Sequence, residues 1–216
     1  MIGDLFSDFQ RERKTEALAE NAVLLRGFAV SEAPELIAAL DRTLAASPLR
    51  HMNTPGGRRM SVAMSNCGSL GWVSDQSGYR YLRTDPLTNN PWPPIPLPFI
   101  RLAARAASTA GYVKFAPDAC LINCYQPGAR LSLHQDRNEH DFTAPIVSIS
   151  LGLPAIFLFG GNTRGERPRR FRLESGDVAV WGGASRLAFH GVAPLADGDN
   201  ALTGRRRINL TFRKAS

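Results

Sequence analysis

Hydrophobic positions along this chain follow two different periods. Near the start they recur at helical spacing: Leu36, Ile37, Leu40 and Leu44 share one face of a segment that Ser31 can open. A short apolar run at 23–28 precedes it and predicts a strand. A second helical stretch covers 99–110 and meets Gly111, a residue suited to a helix C-terminus. From 119 onward the pattern changes to short runs cut by Gly and Pro: ACLINCY, PIVSISLGL, AIFLFGG, RRFRLESGDVAVWGG, LAFHGV and RRRINLTFR. Repeated short strands with such punctuation predict a sandwich, barrel or jelly roll rather than a parallel α/β sheet. Between the helices, 48–98 is rich in Gly, Pro, Ser, Asn, Arg and aromatic residues and alternates only briefly. It reads as an irregular segment, and long irregular segments inside small domains usually carry function.

Two of the strands have unlike faces. In RRRINLTFR, alternation puts Arg207, Asn209, Thr211 and Arg213 on one side and Ile208, Leu210 and Phe212 on the other. Buried arginines need an anion, and a guanidinium fork matches a carboxylate. In ACLINCY, Leu121, Asn123 and Tyr125 share a face opposite Cys120, Ile122 and Cys124, so Asn123 and Tyr125 can hydrogen-bond the same ligand.

The chain has four histidines: His51, His134, His140 and His190. His134 and Asp136 are two apart, so on an extended segment they project to the same side. His190 sits in a separate strand-like run. Two imidazoles and one carboxylate on one face of a metal leave positions open for substrate and oxygen, the arrangement of non-heme Fe(II) oxygenases. His140 is an alternative third ligand, in loop-like surroundings.

Composition narrows the class. With 216 residues, 44% of them hydrophobic, the chain can fill one core, and a single domain is expected. No apolar run approaches the ~20 residues that span a bilayer, and the polar, acidic N-terminus resembles neither a signal nor a transit peptide. A cytoplasmic protein without membrane contact follows. Three cysteines are too few for a disulfide framework, and Cys120 and Cys124 lack the partners of a zinc site. A net charge of +7, carried almost wholly by arginine, suits a polyanionic partner.

Taken together, these residues resemble the AlkB family of Fe(II)/2-oxoglutarate dioxygenases, through N-x-Y-x-P-G at 123–128, H-x-D at His134 and Asp136, His190, and R-x-N-x-x-x-R at 207–213. The similarity extends to TPGG at 54–57, MSVAM at 60–64, NCG-x-LGW ending at Trp72, SLGLPAIF at 150–157 and GDV-x-VWGG at 176–183. It implies a mainly β fold with flanking helices (α+β), a double-stranded β-helix or jelly roll. The divisions expected are a strand and supporting helix (1–47), a nucleotide-recognition lid (48–93) and a catalytic core (94–216).

The resemblance also implies chemistry and partners. His134, Asp136 and His190 would hold Fe(II). Arg207, Asn209 and Arg213, with Asn123 and Tyr125, would hold 2-oxoglutarate in a pocket completed by Leu121, Leu131 and Ser148. With O2, N-alkyl groups on bases such as 1-methyladenine or 3-methylcytosine would be oxidised off, releasing formaldehyde, succinate and CO2. The partner would be alkylated single- or double-stranded DNA, or RNA, met by a monomer. Trp72 would stack on the base against His134, Tyr79 and Tyr81 would lie near the nucleic-acid backbone, and Arg164, Thr54, Met64 and Asn138 would complete the substrate side. Asn138 stands where the family pattern has a carboxylate, Arg58 where it has a tyrosine and Ala188 where it has an aromatic residue. Two alternatives stay open: an oxygenase for modified RNA or a protein side chain, and a non-catalytic jelly roll with a structural metal.

Overall fold

A computed structural model describes residues 14–216, and residues 1–13 of the polar N-terminal stretch, expected to be neither a signal nor a transit peptide, lie outside the described residues. The chain opens with β1 (Thr15–Ala19) and β2 (Ala22–Leu25), followed by α1 (Ala33–Ala46). Next come β3 (Arg50–Asn53), β4 (Arg59–Gly68), β5 (Gly71–Asp75) and β6 (Gly78–Leu82), then α2 (Leu97–Thr109). The remaining strands are β7 (Ala119–Tyr125), β8 (Leu131–His134), β9 (Ile146–Gly152), β10 (Ala155–Phe159), β11 (Arg169–Leu173), β12 (Val178–Trp181), β13 (His190–Val192) and β14 (Arg207–Arg213).

Eight strands form one sheet in the order β1-β2-β12-β9-β14-β7-β4-β3, and four form a second, β11-β10-β13-β8. The β5–β6 hairpin stands apart as its own ladder. The central strands of the large sheet, β12, β9, β14 and β7, are buried on both faces. One face meets the helices, where Ile122, Ile149, Ile208, Leu210 and Phe212 pack with Leu36, Leu40, Phe99 and Leu102. The other meets the small sheet, where Leu121, Tyr125 and Trp181 pack with Phe157, Phe159 and Phe171. Two facing sheets with helices behind one of them make the expected jelly roll. Each fully buried Leu, Ile or Phe adds about 1.5–3 kcal/mol, which is why the central strands tolerate polar residues on their other face.

Element boundaries differ from the periodicity in instructive ways. Helix α1 begins at Ala33 rather than Ser31, because the Ser31 hydroxyl donates to the Glu32 carboxylate instead of capping the helix backbone. Helix α2 starts two residues earlier than expected, with Pro98 in its first turn, where no N–H is needed, and Gly111 follows it at φ +89°. The strand expected over 23–28 stops at Leu25, and Gly27 turns the chain at φ +61°.

The stretch 48–98 is far more regular than its composition predicts. It holds four strands, and β4 enters the main sheet beside β7 with Met64 opposite Asn123 and Cys67 opposite Cys120. Its Ser65 and Asn66 are buried without breaking the ladder. Ser65 donates to the Ser47 carbonyl, while the Asn66 amide brackets the Trp72 backbone through both its oxygen and its nitrogen. Among the described residues, no helix is long and apolar enough to cross a membrane.

Candidate active site

Strand pairing builds the centre of the site. β8 and β13 run antiparallel with His134 directly opposite His190, and the two rings lie 4.4 Å apart at their centroids. The close approach depends on Gly191, where a Cβ would fall 2.6 Å from the Leu131 carbonyl oxygen. Asp136, two residues beyond His134, turns into the same space. Its oxygens lie 3.8 Å from His134 Nε2 and 3.7 Å from His190 Nε2. Among the described residues these three form the one group whose ligand atoms all come within 4.8 Å of one another. His140 is exposed and outside the group, as is His51, whose Nδ1 faces the Met60 carbonyl.

The imidazoles are prepared to ligate. His134 Nδ1 lies 2.9 Å from the Ser132 carbonyl oxygen, and His190 Nδ1 3.0 Å from that of Ala188. A carbonyl only accepts, so each Nδ1 carries the proton and each Nε2 keeps its lone pair for the shared space. Burial holds His190 neutral, pushing its pKa down to about 4 with help from His134. Burial works the other way on Asp136. The Arg213 guanidinium and the two imidazoles overcome it, keeping this carboxyl well below the usual carboxylate range. Arg213 donates to Asp136 Oδ2 from Nε at 2.8 Å and lies 2.7 Å from it at Nη2.

The alternating face of β14 points inward as the sequence predicts, because β14 sits in the middle of the large sheet between β9 and β7. Arg207 is only 1% exposed, lies over the Tyr125 ring at 4.9 Å, and donates from Nη2 to the Ser150 hydroxyl. Its Nε and Nη1 have no partner in the protein, and burial, only partly offset by Tyr125, lowers its pKa. Such a group is costly to bury alone. Asn209 is fully engaged. It donates to the Ser148 hydroxyl and the Ile149 carbonyl and accepts from Thr211 and Asn123, whereas Asn123 Oδ1 is left without a donor.

One cavity of about 720 Å³ joins these groups. His134, Asp136, His190, Leu121, Asn123, Tyr125, Leu131, Ser148, Arg207, Asn209 and Arg213 line it, and so do Thr54, Met64, Trp72, Tyr79, Asn138 and Arg164. Trp72 stacks on Tyr79 at 5.6 Å and points its Nε1–H to Asn138 Oδ1 at 3.4 Å. Exposed Arg58, Arg130, Arg137 and Arg164 also border the space, so its charge is strongly positive.

Tyr81 is the exception. It does not line the cavity, and it donates its hydroxyl to Glu139 Oε1 at 2.6 Å. The sequence motifs assign no role to three residues of the site: Glu139 and Arg186, both buried beside the triad, and Trp181, whose ring meets His190 edge-on at 4.9 Å. Glu139 carried a faint signal, being an acidic residue three places after Asp136. Arg186 carried none.

The donor set fits a metal that leaves positions open, and the unpaired Arg207 fork fits a small carboxylate in the same cavity. Comparisons with known proteins agree. The family model for the 2OG-Fe(II) oxygenase superfamily matches residues 21–213. The alpha-ketoglutarate-dependent dioxygenase AlkB of Escherichia coli is 56% identical over 98% of this chain and 97% of its own. Its counterpart from Salmonella typhimurium is 54% identical over 99% of this chain and 98% of its own. The solved structure of OsALKBH1 covers 93% of this chain and 100% of its own at 29% identity, with a TM-score of 0.81. This chain therefore belongs to the 2OG-Fe(II) oxygenase superfamily and, within it, to the AlkB family of Fe(II)/2-oxoglutarate-dependent dioxygenases.

Proposed function

We propose that this dioxygenase removes N-alkyl groups from damaged bases of DNA or RNA, with 1-methyladenine and 3-methylcytosine as representative lesions, acting as a monomer in the cytoplasm. The carrying observation is that the His134, Asp136 and His190 cluster and the unpaired Arg207 fork share one cavity with Trp72, Tyr79 and exposed arginines. Relatives support the class of partner. The names of similar proteins describe a tRNA demethylase in Schizosaccharomyces pombe and a nucleic acid dioxygenase in mouse. Three buried, unpaired thiols suit a reducing compartment.

In this reading His134, Asp136 and His190 would hold Fe(II), and Arg207, with Tyr125 beneath it, would grip one carboxylate of 2-oxoglutarate. Asn209 and Asn123 would shape the wall between them. Bound together with O2, iron and 2-oxoglutarate supply an oxidant strong enough for an unactivated C–H bond, which no side chain provides. The protein's part is placement. Arg213 fixes the orientation of Asp136 by charge-assisted bonds, and the two carbonyl-bound Nδ1 atoms fix the rings.

A base inside a duplex cannot reach this depth, so it must be flipped out or offered on a single strand. Trp72, braced by Tyr79, offers a stacking face for it, worth about 1–3 kcal/mol. Arg58, Arg130, Arg137 and Arg164 would meet phosphates around the mouth. In this arrangement 48–93 serves as the recognition lid, although β3 and β4 within it are also strands of the main sheet. The oxidised N-CH2OH group then sheds formaldehyde and leaves the repaired base, while 2-oxoglutarate ends as succinate and CO2.

The test is formaldehyde release from 3-methylcytosine oligonucleotides with Fe(II), 2-oxoglutarate and air. We expect one formaldehyde per repaired base and none without oxygen. Turnover of 2-oxoglutarate in air with no repair across a panel of methylated DNA and RNA oligonucleotides would overturn the assignment of substrate.

A further inference from the structure

At the floor of the cavity lies a group of charges of which Asp136 and Arg213 line it, while Glu139 and Arg186 lie behind and are unused by the mechanism above. Asp136 and Glu139 face Arg186 and Arg213, two negative charges against two positive, and all four are less than 9% exposed. Arg213 is shared: it binds Asp136 at 2.7 Å and lies 3.5 Å from Glu139 Oε1. Arg186 closes the ring from the other side, 3.3 Å from Glu139 Oε2, and donates to the main-chain carbonyls of Asp136 and Ala144.

Glu139 Oε1 is the hinge of this arrangement, because Tyr81 donates to the same oxygen at 2.6 Å. Tyr81 belongs to β6 and sits directly opposite Trp72 across the β5–β6 ladder. A continuous line of contacts therefore runs from the hairpin bearing the stacking indole, through Tyr81, Glu139 and Arg213, to the metal-facing carboxylate. Each link competes with the next. If the tyrosine hydroxyl withdraws, Glu139 Oε1 is freed toward Arg213, and any closer approach there loosens the hold of Arg213 on Asp136.

We infer that Glu139 is a positioning residue for Asp136 and Arg213, and that Tyr81 sets it, so that the seating of the β5–β6 hairpin is registered at the metal and 2-oxoglutarate site. This rests on the reading of that site given above. Neither side chain needs to touch the base for this role. Their removal should therefore be felt at the cofactor even when no nucleic acid is present.

The experiment compares the full chain with Tyr81→Phe and Glu139→Gln. Affinity for 2-oxoglutarate is measured by calorimetry with Mn(II) and no nucleic acid, and the visible absorption band of the anaerobic Fe(II) and 2-oxoglutarate complex is recorded. Loss of an outer partner of a metal ligand typically costs about 10–100-fold in metal affinity or activity, and 2-oxoglutarate, which shares this site, should bind more weakly as a result. We expect that weakening for Glu139→Gln, a smaller one for Tyr81→Phe, and a displaced band in both. With a methylated oligonucleotide, both should form succinate in excess of formaldehyde, and Glu139→Asp should recover part of the coupling.

Unchanged affinity and an unchanged band in both variants, with only the KM for oligonucleotide raised, would overturn the inference and assign the pair to substrate contact. A lowered melting temperature with affinity and coupling intact would overturn it in favour of a purely structural role. Should Glu139→Gln fail to fold, Tyr81→Phe alone decides by the same two readouts. If the parent protein repairs no base yet its affinity and band respond to Tyr81→Phe, the substrate reading fails and this inference stands.

Discussion

Arg207 and Arg213 stand on one face of β14, six residues apart, both buried and both in the same cavity, yet they live in opposite electrostatic surroundings. Arg213 has its counterions built in. Burial alone would lower its pKa, but Asp136, Tyr81 and Glu139 reverse the effect and raise it. Arg207 has a hydroxyl and an aromatic face and no carboxylate, and burial keeps its pKa below the ordinary value. Identical residue types on one strand face thus divide into a built-in ion pair and a buried guanidinium with no carboxylate beside it. The difference lies in what the rest of the chain brings to each end of the strand, and the strand itself does not reveal it.

Substitutions by methionine, which keeps much of the volume, test that division directly. Arg213→Met strands Asp136 without its guanidinium and leaves Glu139 with Arg186 alone, and should cost about 3–5 kcal/mol in urea unfolding, with loss of turnover. Arg207→Met removes an unpaired charge and should leave the ligand-free protein as stable or more so. Its defect appears with ligand. At a 2-oxoglutarate concentration of about 100 times Kd the parent gains roughly 2.7 kcal/mol, and the variant should gain nothing in the same melting experiment with Mn(II). Equal destabilisation by the two substitutions would erase the contrast.

Two further measurements sharpen it from outside the arginine pair. Trp72→Ala should weaken oligonucleotide binding by about 1–3 kcal/mol while 2-oxoglutarate affinity holds. The smallest effect is expected at the ion pair of half-buried Arg50 with buried Asp85, 2.7 Å apart and not lining the cavity. Burial opposes ionisation of Asp85, but Arg50 and the Leu87 N–H outweigh it, and the folded pKa lies below the ordinary 3.8. Its contribution is then present above pH 3.8 and lost as pH falls through the folded value. Asp85→Asn should flatten that acid limb of the stability curve and leave 2-oxoglutarate affinity unchanged.

The same contrast explains what could be read from the chain in advance. β7 and β14 were legible because each sets apolar residues against polar ones at strict alternation, and the H-x-D pair was legible because two residues on a strand share a face. Strand β4 was not, since Ser65 and Asn66 satisfy their polar atoms by bonding nearby backbone rather than water. The partner of Glu139 was beyond reach for another reason. Arg186 is 47 positions away, and nothing local marks two residues whose only relation is burial in the same place. Tyr81 could be assigned to the recognition hairpin, but the inward turn of its hydroxyl follows from Glu139.

His134 occupies the last position of β8, and among the described residues β8 is the outermost strand of the small sheet, with β13 as its only neighbour there. Outermost strands fray first, since half their peptide groups have no ladder to hold them. An ion held by His134 on β8 and His190 on β13 would act as a clip across that last rung. Cofactor loading would thereby be tied to the local integrity of the margin from which the ligands are drawn, and amide exchange along β8 would gauge whether the metal is seated.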